Sequence, residues 1–251
     1  GKYYFTYANS SSFDNKCDDG LYHLPMNYKV CVRADAEDGF GHRVATKYEY
    51  KKGYAFSAFI NGKKETDYFG FTEFTVTDAL GSRTTNKYNS IPYDDFRKNR
   101  ALAGAIKESR FAGFDGKEYS RSVYNYTLHE IKAGGTSYLI EPTKVQKYMY
   151  GSLYETAESN IELAAGEYNM KSRTESVTDH YADGVHSENT VRKYQEFSNN
   201  ETTNEMRLSK EKSYSKSEAE TTSSYYYDSK GNLTYTVTSY TGSGSSKPAD
   251  V

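Results

Sequence analysis

The sequence predicts an all-β protein built from long antiparallel hairpins, and three observations support this. The first is composition: 27 Tyr and 12 Phe occur without any Trp, while only 36% of the 251 residues are hydrophobic. Tyrosine suits a sheet because its ring packs on one face while its hydroxyl stays hydrated. The others are a period-two alternation and regularly spaced turn residues. Disorder of the whole chain is the less favoured alternative, because disordered chains are poor in aromatic residues.

The strand pattern recurs along most of the chain. Segments 71–78, 120–131 and 145–155 alternate in the same way as segment 43–54, RVATKYEYKKGY. A strand places alternate side chains on opposite faces. In segment 43–54 one face therefore receives Val44, Thr46, Tyr48 and Tyr50. In segment 71–78 we expect Thr72, Phe74 and Val76 to face away from Phe71. Several of these strands reach about ten residues, which favours long hairpins.

Turn residues separate these strands. Asn-Gly and Asp-Gly pairs tolerate the positive φ values that tight hairpin loops require. The predicted turns lie at Lys52-Gly53, Asn61-Gly62, Leu80-Gly81, Asp115-Gly116, Gly134-Gly135, Asp183-Gly184 and Gly231-Asn232. Together with the alternation, they predict a meander of antiparallel hairpins.

Two segments depart from this pattern. Segment 92–111 begins with Pro and carries acidic residues before basic ones, which predicts one short helix near residues 93–105. A loop leading into a hairpin fits the same segment. Segment 198–224 is polar and repetitive but still alternates, so it predicts a solvated pair of strands, with a mobile excursion as the alternative.

The chain predicts one β-hairpin module over residues 1–240 and a flexible tail over residues 241–251, TGSGSSKPADV. It begins at Gly1 with strand-like residues and without the apolar segment of a signal peptide. We therefore expect a fragment of a larger protein. No run of 18 apolar residues predicts a membrane-spanning helix.

Charge gives no reason to expect nucleic acid or an anionic membrane as a partner. The 32 basic and 34 acidic residues give a formal net charge of -2. Nucleic acids and anionic membranes bind basic surfaces, whereas the net charge of this chain is close to zero.

Two cysteines, Cys17 and Cys31, enclose a loop of 13 residues. A disulfide between them would stabilise the fold by about 3 kcal/mol in the loop-entropy model. Two reduced thiols are the equal alternative. A zinc site would need two further ligands, and His23 is the histidine inside this loop.

Catalytic and metal-binding signals are weak, and we predict no enzyme activity and no cofactor. The histidine cluster with most promise is His180, Asp183 and His186, which a hairpin could bring together as metal ligands. Turn chemistry alone explains its Asp-Gly pair. Acidic turns near Asp18 and Asp35 lack the spacing of a calcium loop. The common nucleophile, zinc-protease and nucleotide-binding motifs do not occur in the sequence.

Three stretches together point to one family. Segment 24–88 contains a Tyr-x-Tyr-x-x-Gly-Tyr pattern and a later Phe-Gly-Phe, formed by Tyr48, Tyr50, Gly53 and Tyr54 and by Phe69, Gly70 and Phe71. Segment 102–126 contains a Leu-x-Gly element followed by the Asp115-Gly116 turn. Segment 225–240, YYYDSKGNLTYTVTSY, contains a Tyr-Asp-x-x-Gly-Asn-Leu-Thr repeat at Tyr227, Asp228, Gly231 and Asn232.

These stretches resemble the B component of bacterial toxin complexes and the related virulence-plasmid and Rhs/YD-repeat proteins. The resemblance covers most of residues 20–126 and residues 225–240. Two positions depart from the family pattern: residues 65–68 replace an Arg-Glu-Phe-Arg lead-in, and Thr72 replaces a glycine. The cysteines are not part of the pattern.

The resemblance implies a spiralling sheet that walls a hollow shell around a toxin polypeptide, in a secreted or cell-surface bacterial protein. The chain would be a structural segment, with cross-strand aromatic pairs each contributing about 0.2–1 kcal/mol. Its partners would be the remainder of its own polypeptide and an enclosed or adjacent toxin chain. The alternative is an adhesin or carbohydrate-binding module whose exposed aromatic rings contact a host surface protein or glycan. A metal-dependent enzyme at His180 and His186 is the least favoured hypothesis.

The predicted turn at 228–232 can be specified residue by residue. We expect Tyr227 to end one strand and Asp228 to accept hydrogen bonds from turn amides two or three residues on. Gly231-Asn232 supplies the permissive backbone. The strand that follows then alternates, with one face formed by Leu233, Tyr235, Val237 and Ser239.

Overall fold

The computed structural model consists mainly of β-strands joined by short turns. It describes residues 1–17, 24, 26–60, 62–89, 100–130, 138–163, 170–184, 187–200, 205–214 and 220–241. The strands are β1 (Lys2–Asn9), β2 (Lys29–Glu37), β3 (Arg43–Ile60), β4 (Lys63–Thr77), β5 (Arg83–Tyr88), β6 (Ile106–Ala112), β7 (Glu118–Glu130), β8 (Tyr138–Met149), β9 (Ser152–Leu163), β10 (Met170–His180), β11 (Ser187–Asn200), β12 (Glu205–Tyr214), β13 (Glu220–Tyr227) and β14 (Leu233–Thr241). A 3-10 turn, Ser10–Ser12, follows β1.

Strand order in the sheet follows chain order from β1 to β14, so each strand pairs with its neighbours in sequence. The registers from β1 to β7 and from β9 to β14 are antiparallel. This arrangement confirms the predicted all-β class. Long strands also occur, since β3 has 18 residues and β4 has 15.

The chain divides into two compact units. Unit 1 comprises Gly1–Tyr124 and Lys147–Ser152, and unit 2 comprises Asn125–Gln146 and Leu153–Val251. Residues 1–240, predicted as one module, are thus divided between these two units. Within the predicted tail, Thr241 belongs to β14, and residues 242–251 lie outside the described part of the chain.

The predicted turn at Lys52-Gly53 is wrong, because both residues lie inside β3. Lys52 has a φ of 57°, which interrupts the strand without ending it. Its N–H donates to the carbonyl of Asp14 over 2.8 Å. The register is unchanged across Lys52, from Lys51 opposite Glu73 to Gly53 opposite Phe71, so the strand continues beyond it.

This irregularity also breaks the strict alternation expected in β4. Phe71 and Phe74 were expected on opposite faces, yet their ring centroids lie 5.0 and 5.1 Å from that of Tyr50. Opposite Lys52, Thr72 donates its hydroxyl to the Lys52 carbonyl over 3.2 Å. The local distortion therefore turns Phe71 toward the same rings as Phe74.

Very little of the described chain is a conventional hydrophobic core. The buried hydrophobic side chains among the described residues are Tyr54 and Ala55, and Tyr54 is only 3% exposed. Both lie in β3 of unit 1, where the register shifts opposite Gly70. Cross-strand contacts must therefore supply much of the stabilisation that a thick core usually provides.

Most of the short helix predicted near residues 93–105 lies outside the described residues. Within the described part, residues 100–102 are helical. The predicted turns at Asn61 and at Gly134-Gly135 also fall outside them. In the part of the chain that the structure describes, no helix has the length and hydrophobicity needed to cross a bilayer.

Candidate functional site

Three hairpin turns, at residues 78–82, 113–117 and 228–232, share one backbone geometry. In each, the first residue donates its N–H to the carbonyl of the fifth over 3.0, 3.0 and 2.9 Å respectively. The fourth residue donates to the carbonyl of the first over 3.1, 2.9 and 3.0 Å. That fourth residue is a glycine with φ of 92°, 77° or 81°, which glycine adopts at little cost. These are three-residue loops closed by a glycine bulge.

An aspartate at the first position organises two of these turns. Asp228 Oδ1 accepts hydrogen bonds from the N–H groups of Lys230 and Asn232, over 2.9 and 2.8 Å. Asp78 bonds the corresponding positions of its own turn over 2.9 and 2.8 Å. Asp38 does the same over 2.7 and 3.3 Å. The acceptor therefore reaches amides two and four residues on, where two or three were expected.

The pKa of Asp228 lies below its usual value. The main cause is the Asn232 side-chain amide, which donates to Asp228 Oδ2 over 3.1 Å, and the turn amides add to the effect. Hydrogen bonds to a carboxylate stabilise its charged form. The ionised side chain is thus part of the turn.

Sequence reasoning identified this motif at Asp228 and overlooked it at Asp38 and Asp78. The signal was available as a spacing: each aspartate precedes a glycine by three residues, at Gly41, Gly81 and Gly231. The sequence therefore contains three Asp-x-x-Gly turns where one was recognised.

The Tyr-Asp repeat also makes contacts beyond its turn. Tyr227 ends β13 and donates its hydroxyl to the Leu208 carbonyl over 2.9 Å. The Arg207 guanidinium lies 5.7 Å from the centroid of the Tyr227 ring. A side chain at Gly231 would meet the same guanidinium, since an added Cβ would lie 2.7 Å from Arg207 Nη2. Tyr227, Arg207 and Gly231 thus form one packed corner of unit 2.

Asp115 and Gly116 occupy the third and fourth positions of the turn at 113–117. Asp115 Oδ1 accepts from the Lys117 N–H over 3.0 Å. The charge of Asp115 is the main cause that raises the pKa of Tyr119. The Tyr119 ring lies 5.5 Å from that of Tyr150, edge to face. This turn therefore also anchors an aromatic contact, in unit 1.

The Tyr-x-Tyr and Phe-Gly-Phe elements meet in an aromatic cluster in unit 1. Tyr48 stacks on Phe74 at 5.9 Å, and Tyr50 contacts Phe74 and Phe71. Phe13 packs edge to face on Tyr50 at 5.4 Å, a contact that the sequence did not indicate. Aromatic pairs at such separations add about 0.5–1.5 kcal/mol beyond their burial.

The polar end of Tyr50 is also satisfied. Its hydroxyl donates to the Cys31 carbonyl over 2.7 Å, and burial is the main cause of its raised pKa. Gly53 and Gly70 provide space and bending beside the cluster: a Cβ at Gly53 would meet Asn15 Oδ1 at 2.7 Å, and Gly70 has a φ of 76°. Phe69 lies in β4, and its side chain is outside the described part of the structure.

Register divides the sheet of unit 1 into two chemically different faces. Directly opposed residues point to the same face, and neighbours along a strand point to opposite ones. One face, here called the aromatic face, has no Lys, Arg, Asp or Glu over residues 2–6, 33–37, 43–50 and 73–77. Its members there are Tyr3, Phe5, Ala34, Ala36, Val44, Thr46, Tyr48, Tyr50, Phe74 and Val76.

The opposite side of unit 1, here called the charged face, is crossed by ion pairs. Examples are Arg43 with Glu37 at 2.9 Å, Lys87 with Glu108 at 3.0 Å and Arg110 with Glu118 at 2.7 Å. Asp35, considered above for a calcium loop, pairs instead with Arg33 at 2.6 Å. Its pKa is lowered chiefly by that hydrogen bond.

A cavity of about 280 Å³ opens in unit 1 on the charged face. Burial tends to raise the pKa of Glu108, but the Lys87 hydrogen bond and nearby cations outweigh it and hold that pKa below its usual value. The charges of Lys87 and Glu108, which line this cavity, are thus already paired with each other. The lining residues are Lys52, Thr72, Glu73, Lys87, Tyr88, Lys107, Glu108 and Val123.

Unit 2 differs from unit 1 in carrying ion pairs on both faces of its sheet. Lys193 pairs with Glu211 at 2.9 Å on the face that the register assigns to Arg173. On the other face, Lys212 pairs with Glu220 at 2.9 Å. No buried hydrophobic side chain occurs among the described residues of this unit.

One carboxylate of unit 2 is deeply buried. The Glu141 side chain is 5% exposed, and its Oε1 accepts from Ser159 over 2.6 Å and pairs with Arg173 at 3.1 Å. Its Oε2 lies 4.0 Å from His129 Nε2. No local pattern signals this cluster, because its residues come from four different strands. The Glu141 carboxylate is thus held by one hydrogen bond and by its ion pair with Arg173.

Of the three candidate metal ligands, the structure describes His180 and Asp183. His180 Nε2 lies 2.8 Å from the Thr156 hydroxyl, and Asp183 belongs to the β10–β11 turn. His186 is outside the described residues. Among the residues that the structure describes, no group of three His, Cys, Asp or Glu side chains could hold a metal ion.

The two cysteines, both described, are not joined by a disulfide. Cys17 Sγ lies 3.5 Å from the Gly53 carbonyl, and Cys31 Sγ lies 3.4 Å from the Arg33 carbonyl.

Comparison with known proteins identifies no family for this chain. No family model matches the chain, and no curated protein matches it. Among solved structures, a porin-like protein from Bacteroides uniformis ATCC 8492 is similar over 83% of this chain and 95% of its own, with 10% identity and a TM-score of 0.25. A TM-score of this size is below that of chains with a common fold, so the likeness supports no functional conclusion.

Proposed function

We propose that this chain is a non-catalytic structural segment of a secreted Rhs/YD-repeat shell, similar to those of toxin complexes, that encloses a toxin polypeptide. The observation that carries the proposal is the charge on both faces of unit 2. A sheet in a sandwich or barrel hides one apolar face against another layer. A wall between two aqueous spaces is hydrated on both sides, as the Lys193–Glu211 and Lys212–Glu220 pairs are.

The repeated turns support the same proposal. Three Asp-x-x-Gly turns, beginning at Asp38, Asp78 and Asp228, use the aspartate in the same way. A repeated turn closed by the same residue types yields hairpins of one kind, which can be added in series to extend a sheet. The YD-repeat pattern at Tyr227–Asn232 would then be one example of a wider hairpin unit.

The end strands indicate where the sheet could continue. Nearly every residue of β1 and β14 is exposed, including Tyr3 and Phe5 in β1 and Tyr235 and Tyr240 in β14. Proteins usually protect long exposed end strands, because they promote pairing with other chains. In the proposed shell, further strands of the same polypeptide would cover them.

The proposal can be tested on the whole polypeptide that its gene encodes. We expect cryo-electron microscopy to show a hollow particle with this sheet in its wall. We also expect an enclosed segment that resists protease until the particle is denatured. A particle without an internal space, or an equally cleavable segment before and after denaturation, would refute the shell.

A carbohydrate-binding or adhesin role is the second candidate, and the exposed rings of β13 and β14 favour it. Tyr226 and Tyr235 stack at 4.3 Å with an interplanar angle of 14°, and both are exposed. Flat exposed rings can stack on sugars, although here the two rings already cover one face of each other. A glycan array that binds the purified chain, with loss of binding in Tyr235→Ala, would favour this role over the shell.

A further inference from the structure

We propose that the exposed end of the aromatic face is a docking surface for an extended, uncharged polypeptide segment with apolar side chains. This docking surface consists of Tyr3, Phe5, Ala34, Ala36 and Val44. The inference goes beyond the shell proposal and does not depend on it, because the surface is defined by unit 1 alone.

The docking surface is apolar and exposed to solvent. Tyr3 lies opposite Ala36, and Ala36 opposite Val44. Phe5 lies opposite Ala34 in the same way. Alanines of β2 thus lie between larger side chains of β1 and β3 on this face. Tyr3, Phe5 and Val44 are 73%, 57% and 56% exposed, so an apolar surface of several adjacent side chains faces water. Contiguous patches of this kind mark interaction sites.

The aromatic face already binds a segment of its own chain. Phe13, from the irregular segment after β1, packs its ring against Tyr50 and Phe71 at 5.4 and 6.1 Å. The next residue accepts a backbone hydrogen bond from Lys52, through the Asp14 carbonyl, over 2.8 Å. Non-strand polypeptide can therefore dock here by packing a ring edge-on against the rings of this face and by hydrogen bonding to the irregular strand backbone.

The docking surface is continuous with that occupied part. Thr46 and Tyr48 lie between them on β3 and point to the same face. The chain's own segment covers the Tyr50 end of the face, while the Tyr3 end is left exposed. The same kind of occupant fits both ends.

The absence of charge on the docking surface indicates what kind of partner fits it. The docking surface carries no charged side chain, whereas the opposite side of the same strands carries Arg33, Asp35 and Glu37. Charge-free surfaces disfavour charged partners, which would lose hydration without gaining an ion pair. Sugar sites place amides or carboxylates beside the aromatic ring, and here the neighbours are alanines. An apolar polypeptide is the partner that fits.

The test measures binding of an uncharged peptide to the full chain. The probe is a dye-labelled, end-capped synthetic peptide that alternates Val or Leu with Ser or Asn and so has no charged side chain, and its binding is followed by fluorescence anisotropy. The matched variants are Tyr3→Ser on the docking surface and Tyr4→Ser, the next residue on the opposite face, where the Arg43 guanidinium lies 4.3 Å from its ring. Both remove the same ring from the same exposed strand.

We expect the wild-type chain to bind the probe, and Tyr3→Ser to weaken binding by at least about fivefold, since few aromatic residues dominate such contacts. Tyr4→Ser should change binding less than about twofold. Val44→Ser gives a second reading from β3 if Tyr3→Ser does not fold.

Three results would overturn the inference: no binding by the wild type, equal weakening by Tyr4→Ser, or displacement of the probe by a neutral oligosaccharide. Equal weakening would show that binding is not specific to the aromatic face, and displacement would indicate a glycan site. Failure of the shell is a separate outcome, because it concerns the hollow particle and leaves this binding measurement unchanged.

Discussion

Gly231 shows how much a single turn residue determines in this protein. It combines a φ of 81° with the close approach of Arg207, whereas Gly184, in the β10–β11 turn, has a φ of 70° and no described atom within 4 Å of an added Cβ. The two glycines share the backbone requirement and differ in the packing requirement. They form a natural pair for separating the two effects within unit 2.

We therefore expect Gly231→Ala to destabilise the chain more than Gly184→Ala. Each substitution should lower the free energy of unfolding by about 1–2 kcal/mol, because an alanine is strained in the left-handed region. Gly231→Ala should lose more, because its Cβ displaces the Arg207 guanidinium from its position near Tyr227. Urea denaturation followed by circular dichroism measures both. Equal losses would show that the Arg207 contact does not matter, and unchanged stability of both would refute the turn geometry.

Asp228 predicts a dependence of stability on pH. Its pKa in the folded state is lowered from the ordinary 3.8, so its contribution to stability is present above that ordinary value. The contribution is lost as pH falls through the lowered folded pKa. An asparagine at this position would keep an acceptor oxygen but could not titrate, so Asp228→Asn should show a smaller loss of stability on acidification than the wild type. The measurement compares urea midpoints at about pH 5 and about pH 2.5. An identical acid dependence in both proteins would contradict the prediction.

At the scale of the element, β3 and β4 form the main hairpin of unit 1, with one irregular residue near its middle. Lys52 turns its N–H toward Asp14, and Phe71 then joins Tyr50, Phe74 and Phe13 in one aromatic cluster. A perfectly regular strand would have placed Phe71 on the charged face. The irregular backbone at Lys52 therefore increases the number of rings on the aromatic face and holds the segment that follows β1.

Replacing Phe71 with Ala should destabilise this element by about 2 kcal/mol, because it removes two ring contacts from a partly buried position. Phe40→Ala is the matched control, since Phe40 is 88% exposed in the β2–β3 turn. It should change stability by less than about 0.5 kcal/mol. Thermal and urea unfolding measure the difference. A loss in Phe40→Ala as large as in Phe71→Ala would show that the cluster is not a specific source of stability.

At the scale of the whole molecule, stabilisation is distributed unevenly between the two units. Unit 1 contains Tyr54, Ala55 and the aromatic cluster, whereas unit 2 relies on ladders of polar residues and ion pairs. Exposed ion pairs each contribute about 0–1 kcal/mol, and salt screens them. Rings that pack against each other keep their contribution at any ionic strength.

This difference predicts the pattern of hydrogen exchange. Amides of β3 and β4 near Tyr54 should exchange most slowly, and those of β13 and β14 should exchange faster and accelerate further in high salt. Mass spectrometry of peptides after timed deuteration gives the measurement for each strand. Uniform protection along the chain, or slower exchange in β14 than in β3, would contradict it.

Much of the fold was predictable because its signals are local. The alternation Val44, Thr46, Tyr48, Tyr50 requires only that a strand reverses its side chains at each residue, and the register confirms that these four share one face. The turn at 228–232 was predictable because glycine and aspartate have strong local preferences. Of the amides expected to donate to Asp228, the one two residues on was predicted correctly, whereas the other lies four residues on and not three, because the closed loop fixes its position.

The parts that sequence reasoning missed all depend on contacts between distant residues. Lys52-Gly53 has the composition of a turn, yet Lys52 bonds Asp14 and the strand continues to Ile60. Glu141, Ser159 and Arg173 come from three strands, and nothing local marks any of them as a partner of the others.

The sequence by itself therefore determined that this protein is a series of antiparallel hairpins with alternating faces and glycine-closed turns. These properties follow from backbone preferences that act over a few residues. Only the tertiary structure decided that unit 1 collects its rings on one face, that unit 2 is charged on both, and that Phe13 covers one end of the aromatic face. Those outcomes depend on register, bulges and the return of irregular segments, because each of them brings together residues far apart in the chain.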